Sequence, residues 1–478
     1  MELIDKFLEF EDENSLLKKS WDGFRYWGYI RFELLREIES KNNGTASFET
    51  NIQKPQGNRF IRRLKQSLTA YRRSPMRRRE TCNILFLNHE RRMLLDGKDT
   101  PIYFYALIEE LTGSYALLEP WNIYGGHYGS ERFSENTYYL DGFCAAAKIY
   151  RALHIYRKID TIFSVEFIKI LDSLEAEFNI KLDKDSWIKK IWILKSGYTV
   201  GKKYFSKMLK KLKPKCILEV VHYNYLFMMI NEAAHELGIP VFELQHGVMG
   251  YHHIAYNYLK KCRYPNLPDK MLLYSDFWKA ETRFPLDNKN VIAVGYPHME
   301  RMVKKYSPVT KEENCIVFLF ISQWTISKSL SRFAVDVAEA LEVKGINYKI
   351  IYKLHPGEVL NWSQNFPWLM ESKHNIEVID NAERNIYEFY SIANVQVGVY
   401  STGLYEGLAF NLKTFIFKAP GSEGMKSLYE NGYARLVTDP AELLKNLYCD
   451  EKKDGEFWKR NSVSNILKVI DSELSINE

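Results

Sequence analysis

Two predicted strand-to-helix turns carry side chains that suit a bound anion. In Lys-Leu-His-Pro-Gly-Glu, His355 follows one β-rich run, and in Val-Tyr-Ser-Thr-Gly-Leu, Ser401 and Thr402 follow another. Such turns lie together at the carboxyl edge of a parallel sheet, so these side chains can face one ligand. Hydroxyls and free N–H groups at a helix start favour negative charge, and a histidine donates a hydrogen bond or carries charge. We therefore predict an anionic ligand.

The neighbours of these turns are assigned to the same site. Pro356 fixes its turn and keeps His355 extended, which aims the imidazole at the sheet edge. The alternatives are a capped turn with an incidental histidine and, for Ser401 and Thr402, an ordinary helix N-cap. Glu406, about one turn further along, is a candidate for binding a ribose diol. The remaining donor-side candidates are Ser322, Gln323, Lys353 and Gly403.

A third turn follows another predicted strand and reads Gln-His-Gly. Its histidine, His246, suits the removal of a proton from an attacking hydroxyl, because an ordinary histidine has a pKa of about 6.5. Gly247 lets a substrate approach the backbone. The alternative is that His246 only bonds to backbone at the strand end. Gln245, Gly247 and His252 are the acceptor-side candidates, and we predict no metal site because no carboxylate stands at ligand spacing from His252.

The alternation of short apolar runs with helical patterns indicates an α/β protein with two Rossmann-like domains facing across a cleft, as in the GT-B fold class. A chain of 478 residues is too long for one ordinary core. We predict a helical, basic N-terminal extension at 1–80, an acceptor domain at 81–300, a donor domain at 301–455 and a closing helix at 456–478. The cleft between the domains is the expected binding site.

Composition restricts the class of protein and its location. With 46% hydrophobic residues the chain can bury real cores, and no apolar run approaches the roughly 20 residues of a spanning helix. The N-terminus has no signal-peptide pattern, which predicts a cytoplasmic protein. The six cysteines are scattered and indicate neither a disulfide framework nor a zinc site. A Gly-x-x-x-x-Gly-Lys-Ser/Thr phosphate loop is missing, which argues against an ATPase.

Positive charge is concentrated in residues 59–79, which hold nine Lys or Arg and no acidic residue in a chain of net charge +6. Phe60, Leu64, Leu68 and Tyr71 are interleaved with these charges. This pattern favours docking on anionic lipid headgroups, peripheral to the inner face of a membrane. The alternative is a solvated helix face. We predict no nucleic-acid partner, because no nucleic-acid module accompanies the segment.

The three turns together resemble those of the GT-B nucleotide-sugar glycosyltransferases. The similarity is to enzymes of bacterial surface polysaccharides: the His-Pro sialyltransferases and Kdo transferases of capsule and lipopolysaccharide synthesis, and the glycerophosphotransferases of teichoic acid synthesis. The residues that carry it, within roughly 216–420, are Gln245, His246, Gly247, His355, Pro356, Ser401, Thr402 and Glu406.

The resemblance implies a role for each turn. His355 and the Ser-Thr pair would hold the phosphate of the donor and Glu406 its ribose, and His246 would be the base, as proposed for the teichoic-acid-type enzymes. The Asp/Glu-Asp/Glu-Gly motif that supplies the sialyltransferase base is not found, so Glu90 and Glu219 are further candidate bases.

The resemblance implies a metal-independent, inverting transfer of a sugar from a CMP-, CDP- or UDP-linked donor, with no cofactor. The acceptor would be a hydroxyl of a bacterial cell-surface glycan or lipid-linked glycan. One alternative is an enzyme like the non-hydrolysing nucleotide-sugar 2-epimerases, which share the architecture but need no acceptor. Another is a non-catalytic glycan- or lipid-binding scaffold, which would hydrolyse no donor.

Overall fold

The computed structural model describes residues 2–43, 67–120, 132–154, 161–307, 314–381, 383–449 and 457–476. The chain forms two compact units: unit 1 is Met1–Val294 with Val463–Glu478, and unit 2 is Gly295–Ser462. Each unit is built on its own parallel β-sheet.

Unit 1 contains a seven-stranded sheet and a hairpin. Its strands are β1 (Ile84–Leu87), β2 (Arg92–Leu95), β3 (Lys98–Pro101), β4 (Tyr115–Glu119), β5 (Thr137–Tyr139), β6 (Cys216–Glu219), β7 (Val241–Leu244), β8 (Lys270–Leu273) and β9 (Val291–Ala293). The parallel sheet has the order β5-β4-β1-β6-β7-β8-β9, and β2 pairs with β3 antiparallel. Its α-helices are Leu3–Glu13, Tyr26–Asn43, Tyr105–Ile108, Asp141–Leu153, Thr161–Phe178, Lys184–Leu212, Tyr225–His235, Asp276–Glu281 and the closing helix Ser462–Ile476.

Unit 2 contains a six-stranded sheet. Its strands are β10 (Ile316–Ile321), β11 (Tyr348–Lys353), β12 (Ile376–Ile379), β13 (Val395–Gly398), β14 (Lys413–Phe417) and β15 (Arg435–Val437). All neighbours are parallel, in the order β12-β11-β10-β13-β14-β15. The α-helices are Pro297–Tyr306, Ser327–Val343, Trp362–Asn365, Pro367–Met370, Ile386–Ile392, Gly403–Leu408, Lys426–Glu430 and Pro440–Asn446.

Both sheets have the strand order of a doubly wound nucleotide-binding fold. In unit 1 the order reverses between β1 and β6, and in unit 2 between β10 and β13. Ligands of such sheets bind beyond the carboxyl ends of the strands at this reversal. The central strands are buried throughout, apart from the partly buried Ile316 at the start of β10, which is why the sequence shows them as nearly continuous apolar runs. The predicted α/β class with two Rossmann-like units is confirmed.

The N-terminal helices share the hydrophobic core of unit 1. Phe7, Trp27 and Ile30 are fully buried and belong to the same cluster as Leu85 of β1 and Ile217 of β6. The prediction set residues 1–80 apart as an extension, whereas the described helices at 3–13 and 26–43 are an integral layer of unit 1. Their aromatic side chains pack inward, because the helix Lys184–Leu212 and the sheet supply the surface that covers them.

The basic segment lies only partly within the described residues, since 59–66 fall outside them. Arg78 is buried and donates to the carbonyl of Tyr115 at 2.9 Å, and Arg73 donates to the carbonyl of Glu135 at 2.7 Å. These two cations therefore have structural roles. Leu68 and Tyr71 are more than half exposed. No helix in the described ranges is long and apolar enough to cross a membrane.

Candidate functional site

The histidine of the His-Pro turn follows β11 and is exposed at the carboxyl edge of the unit 2 sheet. Its Nδ1 accepts a hydrogen bond from the Gly357 N–H at 3.1 Å. An accepting ring nitrogen carries no proton, so in the neutral imidazole the proton of His355 is on Nε2. The turn therefore presents a hydrogen-bond donor to the outside, as an anion requires.

Glu358 holds this turn in place through hydrogen bonds. Its carboxylate is buried and accepts from the backbone N–H of His355 at 2.7 Å and from the Ser322 hydroxyl at 3.0 Å. Tyr352 donates to the same serine oxygen at 3.0 Å. Burial raises the pKa of Glu358, and its hydrogen bonds to His355 and Ser322 oppose that rise. Ser322, predicted to contact the donor, is thus buried and positions the His355 turn.

The turns after β10 and β13 are joined across the reversal point. The side-chain oxygen of Gln323 accepts from the backbone N–H of Tyr400 at 3.2 Å, and the hydroxyls of Thr325 and Tyr400 are hydrogen-bonded. The turn at 322–325 is thus bonded both to the His355 turn, through Glu358, and to the turn that carries Ser401. The structure brings these three sequence-predicted segments to one edge of one sheet.

The Ser-Thr pair precedes a helix of only six residues, Gly403–Leu408. Ser401 Oγ accepts from the Gly403 N–H at 3.3 Å, so its own proton is free to be donated, and Thr402 is exposed. Gly403 is required by close packing, since a Cβ there would lie 2.8 Å from the Tyr390 hydroxyl. With so short a helix, the groups that this turn can offer to an anion are chiefly its two hydroxyls.

Two other donor-side candidates point to protein groups. Lys353 donates to the carbonyl of Asn381 at 2.9 Å, and burial lowers its pKa. Glu406 accepts from the Tyr387 hydroxyl, which lies 3.2 Å from His298 Nε2. The negative charge of Glu406, added to burial, raises the pKa of Tyr387. Glu406 is only partly buried, so its carboxylate can still meet a ligand.

In unit 1, His246 follows β7 and is held by a carboxylate–tyrosine chain. The Tyr256 hydroxyl donates to Glu243 Oε1 at 2.6 Å and lies 3.1 Å from His246 Nδ1. Because a tyrosine has a single proton, which goes to Glu243, its oxygen must accept from His246 Nδ1–H. Burial and the charge of Glu243 raise the pKa of Tyr256 well above its usual value, which keeps that proton in place. The chain leaves the lone pair of His246 on Nε2.

The Nε2 atom of His246 faces the Tyr223 hydroxyl at 3.3 Å, and the same hydroxyl lies 3.4 Å from His253 Nε2. Tyr223 can donate to either histidine. When it donates to His253, the lone pair on His246 Nε2 can accept a proton from another hydroxyl. Burial, followed by the neighbouring His253 and His89, lowers the pKa of His246 well below its usual value. The imidazole of His246 is therefore held in its neutral form.

Glu243 and Tyr256 were not among the sequence candidates. Glu243 is the single charged residue of the buried strand Val-Phe-Glu-Leu, and a carboxylate inside an apolar central strand was the available signal. It also accepts from His222 Nδ1 at 2.6 Å and from the His222 backbone N–H at 3.1 Å. Tyr256 stands in an irregular loop, where periodicity gave no signal.

The other unit 1 candidates lie around this chain or away from it. Glu219, opposite Glu243 in register, is fully buried and accepts from Asn231 at 2.7 Å; burial and Glu243 raise its pKa well above the usual value. Glu219 is therefore an interior group whose surroundings disfavour its ionised form. Gln245 is also buried, and bonds to the backbone of Tyr274 and Gly247.

The three remaining unit 1 candidates differ in how exposed they are. Gly247 is partly exposed beside His246, and Glu90 is partly buried just beyond β1. His252 has a side chain that is 68% exposed, and its Nδ1 lies 3.9 Å from the carboxylate of Glu2. Within the described residues, no three His, Cys, Asp or Glu side chains are grouped so that they could hold a metal ion.

No protein-family model and no curated protein matches this sequence. Among solved structures, UDP-GlcNAc 2-epimerase from Neisseria meningitidis, bound to UDP-GlcNAc, aligns with 81% of this chain and 99% of its own at 13% identity, with a TM-score of 0.50. A putative UDP-N-acetylglucosamine 2-epimerase from Listeria monocytogenes covers 83% and 98% at 11% identity (TM-score 0.49), and MurG from Acinetobacter baumannii 83% and 100% at 11% identity (TM-score 0.43). At such identities the likeness concerns the fold, and the N. meningitidis match supports the predicted GT-B class of two Rossmann-like units.

Proposed function

We propose that the protein is a glycosyltransferase that moves a sugar from a nucleotide-activated donor to a hydroxyl of a bacterial cell-surface glycan. The observation that carries the proposal is the chain from Glu243 through Tyr256 to His246, which fixes the tautomer of a neutral histidine and leaves the lone pair of Nε2, beside the Tyr223 hydroxyl, to accept a proton. Positioned bases of this kind typically contribute about 10²- to 10⁴-fold to a rate.

In the proposed reaction, one set of residues removes the proton of the acceptor and another stabilises the leaving phosphate. His246 Nε2 takes the proton of the acceptor hydroxyl while its oxygen bonds to the anomeric carbon. The bond from that carbon to the donor phosphate breaks, and the phosphate leaves with the electron pair. His355 Nε2–H and the hydroxyls of Ser401 and Thr402 stabilise its charge. We propose that this displacement inverts the anomeric centre and needs neither a metal ion nor a cofactor.

The proposed reaction requires a donor and an acceptor. The donor is a CMP-, CDP- or UDP-linked sugar, with Glu406 at its ribose, and the acceptor is a glycan or lipid-linked glycan of capsule or lipopolysaccharide type. We also propose that the protein works in the cytoplasm on the inner face of the membrane, with residues 59–79 meeting anionic lipid. The exposed Leu68 and Tyr71 support this last point.

A second candidate is a nucleotide-sugar 2-epimerase activity, which the fold similarity to the N. meningitidis enzyme favours. An epimerase inverts one carbon of its nucleotide-sugar and needs no acceptor. The two activities differ in their products: a transferase releases the nucleotide, whereas a 2-epimerase gives the epimeric nucleotide-sugar.

A thermal-shift panel followed by product analysis tests the proposal. We expect one of the CMP-, CDP-, UDP- or GDP-sugars to raise the melting temperature, because a ligand that binds the folded state stabilises it. Incubation with that donor should then release free nucleotide, which chromatography detects. Epimer formation without nucleotide release would establish the second candidate, and no turnover of any donor would favour the scaffold.

Replacing His355 by Asn tests the donor side. Asparagine keeps an oxygen that can accept the Gly357 N–H, so the turn is retained, but it lacks the Nε2–H donor. Loss of one charge-assisted hydrogen bond should weaken nucleotide binding by roughly 10- to 100-fold. Calorimetry with UDP, CDP and CMP measures the change.

The matched control for this variant is His374→Gln. His374 pairs with Glu342 and precedes β12, at the opposite, amino end of the sheet, so affinity should not change. Equal affinity of the His355→Asn protein and the wild type would remove His355 from the phosphate site.

A further inference from the structure

A second histidine, His89, stands close to His246 at the carboxyl edge of the unit 1 sheet. It follows β1, and its ring centroid lies 6.3 Å from that of His246. Tyr103 holds both residues: its ring meets His89 edge-on at 5.8 Å, and its hydroxyl donates to the backbone carbonyl of His246 at 2.6 Å. Tyr103 therefore links the His89 ring to the backbone of His246.

The hydrogen bonds of His89 assign it the tautomer opposite to that of His246. Its Nδ1 accepts from the backbone N–H of Arg91 at 3.0 Å, so the ring proton is on Nε2. Burial, together with the positive charge of Arg91, lowers the pKa of His89 to about 4, so the ring is neutral near pH 7. His246 carries its proton on Nδ1 and a lone pair on Nε2. One ring thus offers a donor and the other an acceptor.

We propose that His89 is a second catalytic histidine, whose Nε2–H donates to the same acceptor oxygen that His246 deprotonates. The ring centroids are 6.3 Å apart, and with hydrogen bonds of about 2.7–3.2 Å on each side this separation leaves room for one oxygen between the two rings. The proton passes from the acceptor oxygen to His246 Nε2, and that oxygen bonds to the anomeric carbon as the phosphate departs. The hydrogen bond from His89 orients the remaining lone pair and stabilises the growing negative charge on the oxygen. This role rests on the proposed transferase function.

The competing explanation is that His89 only caps its own turn through Nδ1. Two variants separate the explanations. His89→Asn keeps an oxygen that can accept the Arg91 N–H, as in an Asx-turn, but removes the outward donor. His89→Gln loses that short-range cap but carries its amide N–H₂ farther out, near the former position of Nε2. A purely structural role predicts damage from Gln and none from Asn, and a catalytic role predicts the reverse.

The assay measures nucleotide release from UDP-N-acetylglucosamine and from CMP-N-acetylneuraminic acid, with water as the acceptor. We expect His89→Asn to lower the rate about tenfold, the effect of one hydrogen bond, with nucleotide affinity unchanged. His89→Gln should retain more of the rate than His89→Asn. A wild-type rate in His89→Asn, or an equal loss in both variants, would overturn the proposal.

A ring-nitrogen measurement decides the matter if the wild type turns over neither donor, an outcome that counts against the transferase function for those donors alone. Long-range ¹H–¹⁵N spectra of the full chain with ¹⁵N-labelled histidine report the tautomers, and the His89→Gln and His246→Gln variants assign the signals. Protons on Nε2 of His89 and Nδ1 of His246 support the paired donor and acceptor. The opposite tautomer at either ring contradicts it.

Discussion

Replacing His246 by Gln is expected to lower the rate of sugar transfer by about 10²- to 10⁴-fold, the range for loss of a positioned general base. Glutamine nearly fills the space of the imidazole and can still donate to Tyr256, but it cannot take a proton. Nucleotide affinity should be unchanged, because the groups assigned to the donor phosphate belong to unit 2. The measurement is nucleotide release from the donor that the thermal-shift panel selects, together with calorimetry.

The pH profile of the wild type gives an independent check of the same residue. The base acts only when unprotonated, and the lowered pKa of His246 keeps it unprotonated as the pH falls through the range of an ordinary histidine. Activity should therefore persist at pH 6 and decline only in more acidic solution. His374→Gln is the control, because His374 lies at the amino end of the unit 2 sheet. Transfer by His246→Gln within threefold of the wild type would rule out the base assignment.

The sequence predicted the strands and the turns well, because each depends on local pattern. Buried parallel strands appear as apolar runs, and the residues after them, such as His246, His355 and Ser401, have to lie at the carboxyl edge. Glu243 also lies within one of these runs, Val-Phe-Glu-Leu, so its burial could be predicted. What the pattern could not show is that this buried carboxylate acts through another side chain.

The missing part of the site depends on contacts between distant segments. Tyr256 reaches both Glu243 and His246 only because the irregular loop at 245–257 folds back over the end of β7. Arg31, in the N-terminal helix, helps to fix this loop by donating to the carbonyls of Ile254 and Asn257 at 2.6 and 3.0 Å. More than 200 residues separate these partners in the chain, so no local period reveals them.

Replacing Arg31 by Met is expected to destabilise unit 1 by about 3–5 kcal/mol, the usual cost of leaving a buried charge without its partner. Arg31 and Glu11 are each about 2% exposed, and they form a two-pronged pair at 2.7 and 2.9 Å. Methionine keeps much of the apolar volume but leaves the Glu11 carboxylate with Trp27 as its remaining hydrogen-bond donor among the described residues. Chemical denaturation of the full chain measures the loss.

The pair of Lys260 and Asp12 supplies the comparison, because it joins the other N-terminal helix to the same region of unit 1 but is exposed. Lys260→Met should cost about 0–1 kcal/mol, as surface ion pairs do. The double variant Glu11→Leu with Arg31→Met should recover much of the stability, since an apolar pair of similar volume often replaces a buried ion pair without loss. If Arg31→Met unfolds like Lys260→Met, the N-terminal helices are not part of the folded unit.

If Arg31→Met is destabilised as expected, nucleotide release should also fall in conditions where the protein remains folded. The carbonyls on either side of Tyr256 lose their donor, so the hydrogen-bond chain from Tyr256 to His246 is held less firmly.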